Sequence, residues 1–195
     1  MAIELNYASG ATPLDPEELA ALIPSAVTTV SELNAYEAEN ILAAISWLES
    51  SRRVDILNNG VLKELHRRMF DRTWRWSGSY RQTEKNIGID PVNIAVAVRE
   101  LTLNFKAQVE AKALSLDEIA ARFHHKLVWI HPFANGNGRH ARLAADLLLE
   151  QNGAKRFTWG ASNLGADGPM RANYIEALHQ ADKNNFEPLI AFVRS

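Results

Sequence analysis

From Ser31 to the end of the chain, apolar residues return every three or four positions in stretch after stretch, and residues 73–96 are where that period is lost. A chain with this pattern folds as packed helices rather than as a sheet. Ala38, Ile41, Leu42, Ile45 and Leu48 form an apolar stripe on a helix of about 31–50, with Ser31 or Asn34 as its cap. A second helix is predicted over about Gly60–Phe70, burying Val61, Leu62, Leu65 and Met69. A third runs over Val92–Ala113 on Val96, Leu101, Leu103, Phe105 and Val109, and a fourth over Ser115–Ile130 with Ser115 as cap. Gly138–Gln151 follows, ended by Asn152–Gly153, and then about Pro169–Asp182 and Phe186–Val193. In residues 73–96, Ile87 and Ile89 alternate with the turn formers Gly88 and Asp90–Pro91, which predicts a β-hairpin or extended flap.

Residues 1–30 read as a lead-in punctuated by Pro13, Pro16 and Pro24, with a short helix over Pro16–Ile23 capped by Asp15. The expected architecture is mainly α, one helical domain over 31–195 with a single small β element. Its 195 residues, 47% hydrophobic and 23% charged, suffice for one full core. With no cysteine, thiolate nucleophiles, disulfides, Fe–S clusters and Cys-type zinc sites are excluded. A formal net charge of −2 gives no overall pull toward nucleic acid or anionic membranes. The acidic start and the lack of a long apolar run predict a cytoplasmic protein with no membrane partner.

One segment carries chemistry: His131-Pro132-Phe133-Ala134-Asn135-Gly136-Asn137-Gly138-Arg139-His140-Ala141-Arg142. An apolar helix ending in KLVWI delivers His131 to a loop, and the next helix opens with Arg139. The first N–H groups of a helix are unpaired and its dipole favours negative charge there, so this opening suits an anion. Gly136 and Gly138 let phosphate oxygens approach the backbone, and Arg139 and Arg142, three apart, share one helix face. The positive helix end and the arginines keep His131 neutral, ready to take a proton from a hydroxyl attacking phosphorus. An isolated Asn-Gly-Asn-Gly is commonly a plain turn, and Arg142 has Asp146 one turn away as an ordinary ion-pair partner. The full set at fixed spacing argues for an anion site instead.

HPFANGNGR-HAR resembles the signature of the Fic/Doc family, His-x-Phe-x-Asp/Glu-Gly-Asn-Gly-Arg-x-x-Arg. The resemblance extends through TPLDP, ELNAYEAENI, ELHRRMFDRTWRWSGSYR, KNIGID and FTWG, and within the family it is to the bacterial mobile mystery protein B subfamily. It implies a Fic-type helical bundle with a hairpin flap and an adenylyltransferase that moves AMP from ATP onto a protein hydroxyl. It makes His131 the general base and Phe133 the loop's anchor in the core. Gly136, Asn137 and Gly138 hold the α- and β-phosphates, Asn137 by its side chain, while Arg139 and Arg142 take the β- and γ-phosphates. Asn86, Ile87, Gly88 and Ile89 align the target as an added strand, and Tyr174 is placed near the adenine. The implied partners are an unidentified target protein and a companion regulator of the mobile mystery protein A type.

Asn135 departs from the family pattern, standing where an acidic residue binds Mg²⁺, so the expected Mg²⁺ is held with one charge fewer. Many Fic enzymes are also restrained by a helix bearing Ser/Thr-x-x-x-Glu-Gly/Asn, whose Glu pairs with the second arginine. Glu39–Asn40 matches the end of that pattern with Ala35 in place of Ser/Thr, and Glu37 is the rival because it lies nearer the apolar stripe. Other readings are a weakened nucleotide-binding Fic protein, a Doc-type phosphotransferase, and a nucleic-acid module. The last would use Arg67, Arg68, Arg72, Trp74, Arg75, Trp76, Tyr80 and Arg81, spacing that fits core packing equally well. His124 and His125 face different ways, and no zinc set is formed by them with His131, His140, His66 or His179.

Overall fold

The computed structural model describes residues 12–50, 54–161, 164 and 168–195, so the first eleven residues of the predicted lead-in lie outside the described residues. Its helices are α1 (Pro16–Leu19), α2 (Val30–Ser50), α3 (Asn59–Phe70), α4 (Ile94–Ala111), α5 (Leu116–Ile130), α6 (Asn137–Gln151), α7 (Pro169–Asp182) and α8 (Glu187–Val193). Among the described residues none is long and apolar enough to cross a membrane.

The centre is the pair α5 and α6, with α4 and α8 packed on α5 and α3 on α6. Both are buried on more than one side, and Ala120, Ala121, Ala141, Ala144 and Ala145 are fully enclosed. Small side chains there let neighbouring helices approach closely. Ser115 caps α5 by accepting from Glu118 N–H at 3.2 Å. Asn58, at the start of α3, accepts from Gly60 and Val61.

Two predicted stripes are rotated. On α2 the buried residues are Leu33, Glu37, Asn40, Ala44 and Leu48, whereas Leu42 is 63% exposed. The inward turn of two polar residues follows from their partners. Asn40 donates to Arg68 C=O (2.9 Å) and accepts from Arg72 N–H (2.8 Å), closing the C-terminus of α3. Glu37 is bonded to Trp74 and Arg139. On α4, Ile94, Val98, Leu101 and Phe105 face the core at spacings of four, three and four, which leaves Val96 and Leu103 on the outer face.

Where a β-hairpin or extended flap is expected within 73–96, residues 81–90 form a loop without a strand ladder, and the isolated bridge among the described residues joins Leu22 to Trp74. The loop's backbone pairs with the end of α5 rather than with itself: Arg81 N–H donates to Pro132 C=O and Ile89 N–H to Ile130 C=O. The short N-terminal helix stops at Leu19, four residues early. From there residues 20–23 run beside 73–75, Ile23 N–H donating to Thr73 C=O and Arg75 N–H to Ala21 C=O. The segment treated as a lead-in is thus built onto the helical body.

Three histidines are structural. Nδ1 of His66 accepts from Gly78 N–H at 3.0 Å, so its proton sits on Nε2 and is donated to Asn135 C=O, also at 3.0 Å. Its ring stacks on Phe133 at 3.6 Å. His140 Nε2 donates to Leu62 C=O, and His124 Nε2 meets the Tyr174 hydroxyl. Burial pushes His66 well below the ordinary histidine range, His124 down to about 3 and His140 down to about 4. Between pH 6.5 and about 4 the unfolded chain therefore binds more protons than the folded one. Stability is complete above pH 6.5 and falls as the pH drops through that window, by about 1.4 kcal/mol per unit for each of the three. Asp146, pushed up to about 6 by burial, acts in the opposite sense, as one group against these three and His131, which is also held down to about 4. Thermal melts should show stability declining from pH 6.5 to 5, and replacing His140 by Gln should flatten that decline.

Candidate active site

Pro132 disfavours helical geometry in the residue before it, so α5 stops at Ile130 and His131 becomes its C-cap in a left-handed conformation (φ 53°, ψ 62°). For a residue with a Cβ this costs about 1 kcal/mol, and it turns the imidazole away from the helix. His131 is almost fully buried and is held down to about 4, first by burial and then by the Arg81 guanidinium. The neutral ring expected from the sequence is present, but its main cause is burial, and the arginine acting on it is Arg81 rather than Arg139 or Arg142.

Arg81 is the residue that sequence reasoning missed. It is 3% exposed and donates from Nε to His131 C=O (2.7 Å), from Nη1 to Thr83 C=O (2.8 Å) and from Nη2 to Ile89 C=O. One guanidinium thereby fastens the flap to the backbone of the histidine. Its only sequence signal was membership of the Arg/Trp-rich run, and that run is packed rather than presented. Trp74 is buried and stacks on Trp76 at 5.1 Å, while Arg67 and Arg68 pair with Glu64 and Arg67 also with Asp71. Trp76 and Tyr80 are half-buried, and Arg72 and Arg75 are exposed.

The loop is pinned from inside. Phe133, buried between His66, His140 and Tyr80, anchors it as expected. Asn137 does not offer its side chain to a ligand: Oδ1 accepts from Phe133 N–H (2.9 Å) and Nδ2 donates to Phe133 C=O (2.8 Å). Its contribution to an anion site is its backbone N–H at the start of α6. Gly136 also has another role than ligand clearance. At φ +78° a Cβ there would sit 2.5 Å from the Phe70 ring, so glycine is required for the loop to lie on α3. Gly138 does face open space, where a Cβ would meet only Arg142 Nη1 at 3.6 Å.

Arg139 donates from Nη1 to Glu37 Oε2 at 2.6 Å, and Glu37 Oε1 accepts from Trp74 Nε1 at 2.7 Å. The carboxylate from α2 therefore meets the first arginine of the motif, not the second. Glu39 is exposed, and Asn40 closes α3 as described. Arg142 does not pair with Asp146, which accepts from Trp159 Nε1 and Phe157 N–H. It lies over Tyr174 at 5.9 Å, and among the described residues no carboxylate pairs with it.

These parts face one cavity of about 590 Å³, lined by His131, Gly136–Arg139, Arg142, Glu37, Gly88, Ile87 and Tyr174 among others. Asn86 and Ile87 are exposed on the flap, and Ile89 is half-buried. Gly88, at φ +103°, lies where a Cβ would be 2.6 Å from the Cβ of His131.

Asn135 does not fit a Mg²⁺ ligand. Its Oδ1 accepts from Gly136 N–H at 2.6 Å and faces Arg139 Nη2 at 3.5 Å, and its Nδ2 donates to Thr12 C=O. A hard cation wants several oxygens and carboxylate charge, and among the described residues no group of three acidic or histidine side chains is placed to hold a metal ion. No step is therefore assigned to a protein-held metal.

A buried histidine, the N-terminus of α6 and two arginines thus face one space on a helical body. Residues 56–149 match the Fic/DOC family. The chain is 33% identical over 135 residues to the protein adenylyltransferase Fic of Nematostella vectensis (67% of this chain, 30% of the relative). It is 29% identical over 158 residues to protein adenylyltransferase fic-1 of Caenorhabditis elegans (77% of this chain, 30% of the relative). It thus spans 30% of the length of these relatives. The fold is similar to that of the BepC protein from Bartonella tribocorum with bound AMPPNP, with a TM-score of 0.67 at 18% identity over 92% of this chain and 97% of that one.

Two glycine substitutions separate folding from binding. Gly136→Ala forces a Cβ into Phe70 at a positive φ and should destabilise the fold by about 1–3 kcal/mol. Gly138→Ala should leave the melting temperature nearly unchanged while weakening nucleotide binding, measured by calorimetric titration.

Proposed function

We propose that the chain transfers AMP from ATP to a hydroxyl side chain of a target protein. The observation that carries this reading is the shared cavity: the neutral ring of His131 and the unpaired N–H groups opening α6 face the same space, with Arg142 free of any described carboxylate. The relatives named protein adenylyltransferase and the AMPPNP-bound fold neighbour support it.

In this reading the α6 N-terminus and the two arginines bind the phosphates, which fixes the α-phosphorus relative to His131. His131 Nε2 takes the proton of the attacking hydroxyl, and the flap, held by Arg81, presents the target along its edge. Any Mg²⁺ arrives on the phosphates of ATP. Glu37 restrains the site, because a phosphate must displace its carboxylate to reach Arg139. Its contact with the first arginine differs from the pairing with the second that the Fic resemblance implies. The placement nearest mobile mystery protein B rests on the segments quoted above, and a companion regulator belongs to that placement.

Transfer is tested with α-labelled and γ-labelled ATP, a bacterial lysate and the purified chain. Alpha-label on protein is expected, and His131→Ala should reduce it by about 10²–10⁴-fold. Label from the γ-position alone would establish phosphotransfer instead, and binding of ATP without transfer would identify a nucleotide-binding relic. The rate should hold level through pH 6.5 and decline only toward about pH 4, because the base is active while unprotonated.

Glu37→Ala should raise transfer by about tenfold or more. The same change leaves Trp74 Nε1 unsatisfied, costing about 1–3 kcal/mol of stability. Glu39→Ala, on the exposed face, should change neither.

A further inference from the structure

The side of the cavity next to His131 is closed by a strap from the N-terminal segment. Thr12 is buried, and its Oγ1 lies 2.9 Å from His131 Nε2. Its carbonyl accepts from Asn135 Nδ2 at 3.1 Å, which fixes its main chain to the catalytic loop. Behind it, the Lys85 ammonium, almost fully enclosed, binds Asp15 Oδ2 (2.8 Å), the Glu18 carboxylate and Pro13 C=O (3.3 Å). Thr83 Oγ1 also donates to Asp15, at 2.6 Å. The strap is therefore clamped by the loop on one side and by the flap on the other.

Thr12 lines the same cavity as the α6 N-terminus, Arg139 and Arg142. An alcohol within hydrogen-bond reach of the base, and open to the space that takes the phosphates, has the relation an acceptor must have. Holding it there on the same chain removes the entropy cost of bringing an acceptor in.

We infer that Thr12 is an intramolecular acceptor, a self-adenylylation site of this chain. The inference rests on the proposed transfer of AMP. Thr12 Oγ bonds to the α-phosphorus of ATP while its proton passes to His131 Nε2. The bond from that phosphorus to the oxygen bridging the β-phosphate breaks, and pyrophosphate leaves. The product is a phosphodiester joining Thr12 to adenosine, formed once per chain.

The test incubates the full chain, wild type and Glu37→Ala, with α-labelled ATP and Mg²⁺, and maps the modified peptide by mass spectrometry. One adenylyl group on the peptide containing Thr12 is expected, present in Thr12→Ser and lost in Thr12→Val. Its first-order rate should not change over a tenfold dilution, and a His131→Ala chain mixed with active chain should stay unmodified at Thr12. Label on lysate proteins with Thr12 unmodified in both chains would overturn this inference and leave the transfer reading intact. Label at Thr12 that slows on dilution would overturn the intramolecular assignment. No α-label on any protein would overturn both.

Discussion

The site depends on a loop that must be rigid yet leave one end of a helix unoccupied. The Asn137 amide meets this constraint by bonding at both ends to the backbone of Phe133, four residues earlier. That pair closes the turn from within, and Phe133 locks it into the core against His66. Since the closure uses a side chain, the N–H groups at the start of α6 are not consumed by it. Were the loop held by its own backbone hydrogen bonds instead, the groups that attract an anion would already be satisfied.

A second layer sets the chemistry of His131. Ending a helix in a left-handed histidine is unfavourable, and Arg81 compensates by gripping the carbonyl that this geometry exposes. The same guanidinium lowers the proton affinity of the ring and gathers the flap. Base, flap and loop are thus one mechanical unit, and a change at Arg81 acts on all three. Glu37 couples that unit to α2, with a nearly enclosed carboxylate whose two oxygens are both bonded. A buried carboxylate left without its cation is costly, so α2 and the cradle bias each other's arrangement.

Much of this was legible in the residues. Helix positions came from apolar spacing, the caps Asp15 and Ser115 from their side chains, and the break at 131–136 from Pro132 and the glycines. Of the motif's residues, His131, Gly138 and Arg142 line one cavity and Phe133 is buried. The inward face of α2 was not legible, because Glu37 and Asn40 are polar and only their partners 28 to 102 positions away explain their burial. The flap's strand pattern was real in sequence, yet its hydrogen bonds go to α5, since Arg81 takes the carbonyls that a hairpin would use.

What the sequence determined alone is local: helical periodicity, the residue types at the anion site, and the exclusion of thiol chemistry. These follow from propensities and spacing that act within a few residues. Tertiary structure decided which arginine receives a carboxylate, that Asn137 serves the loop rather than a ligand, and that Thr12 faces the base across 119 positions. Each is a contact between segments far apart in the chain. Such a pairing depends on how whole helices pack, and no local pattern encodes the angle at which they meet.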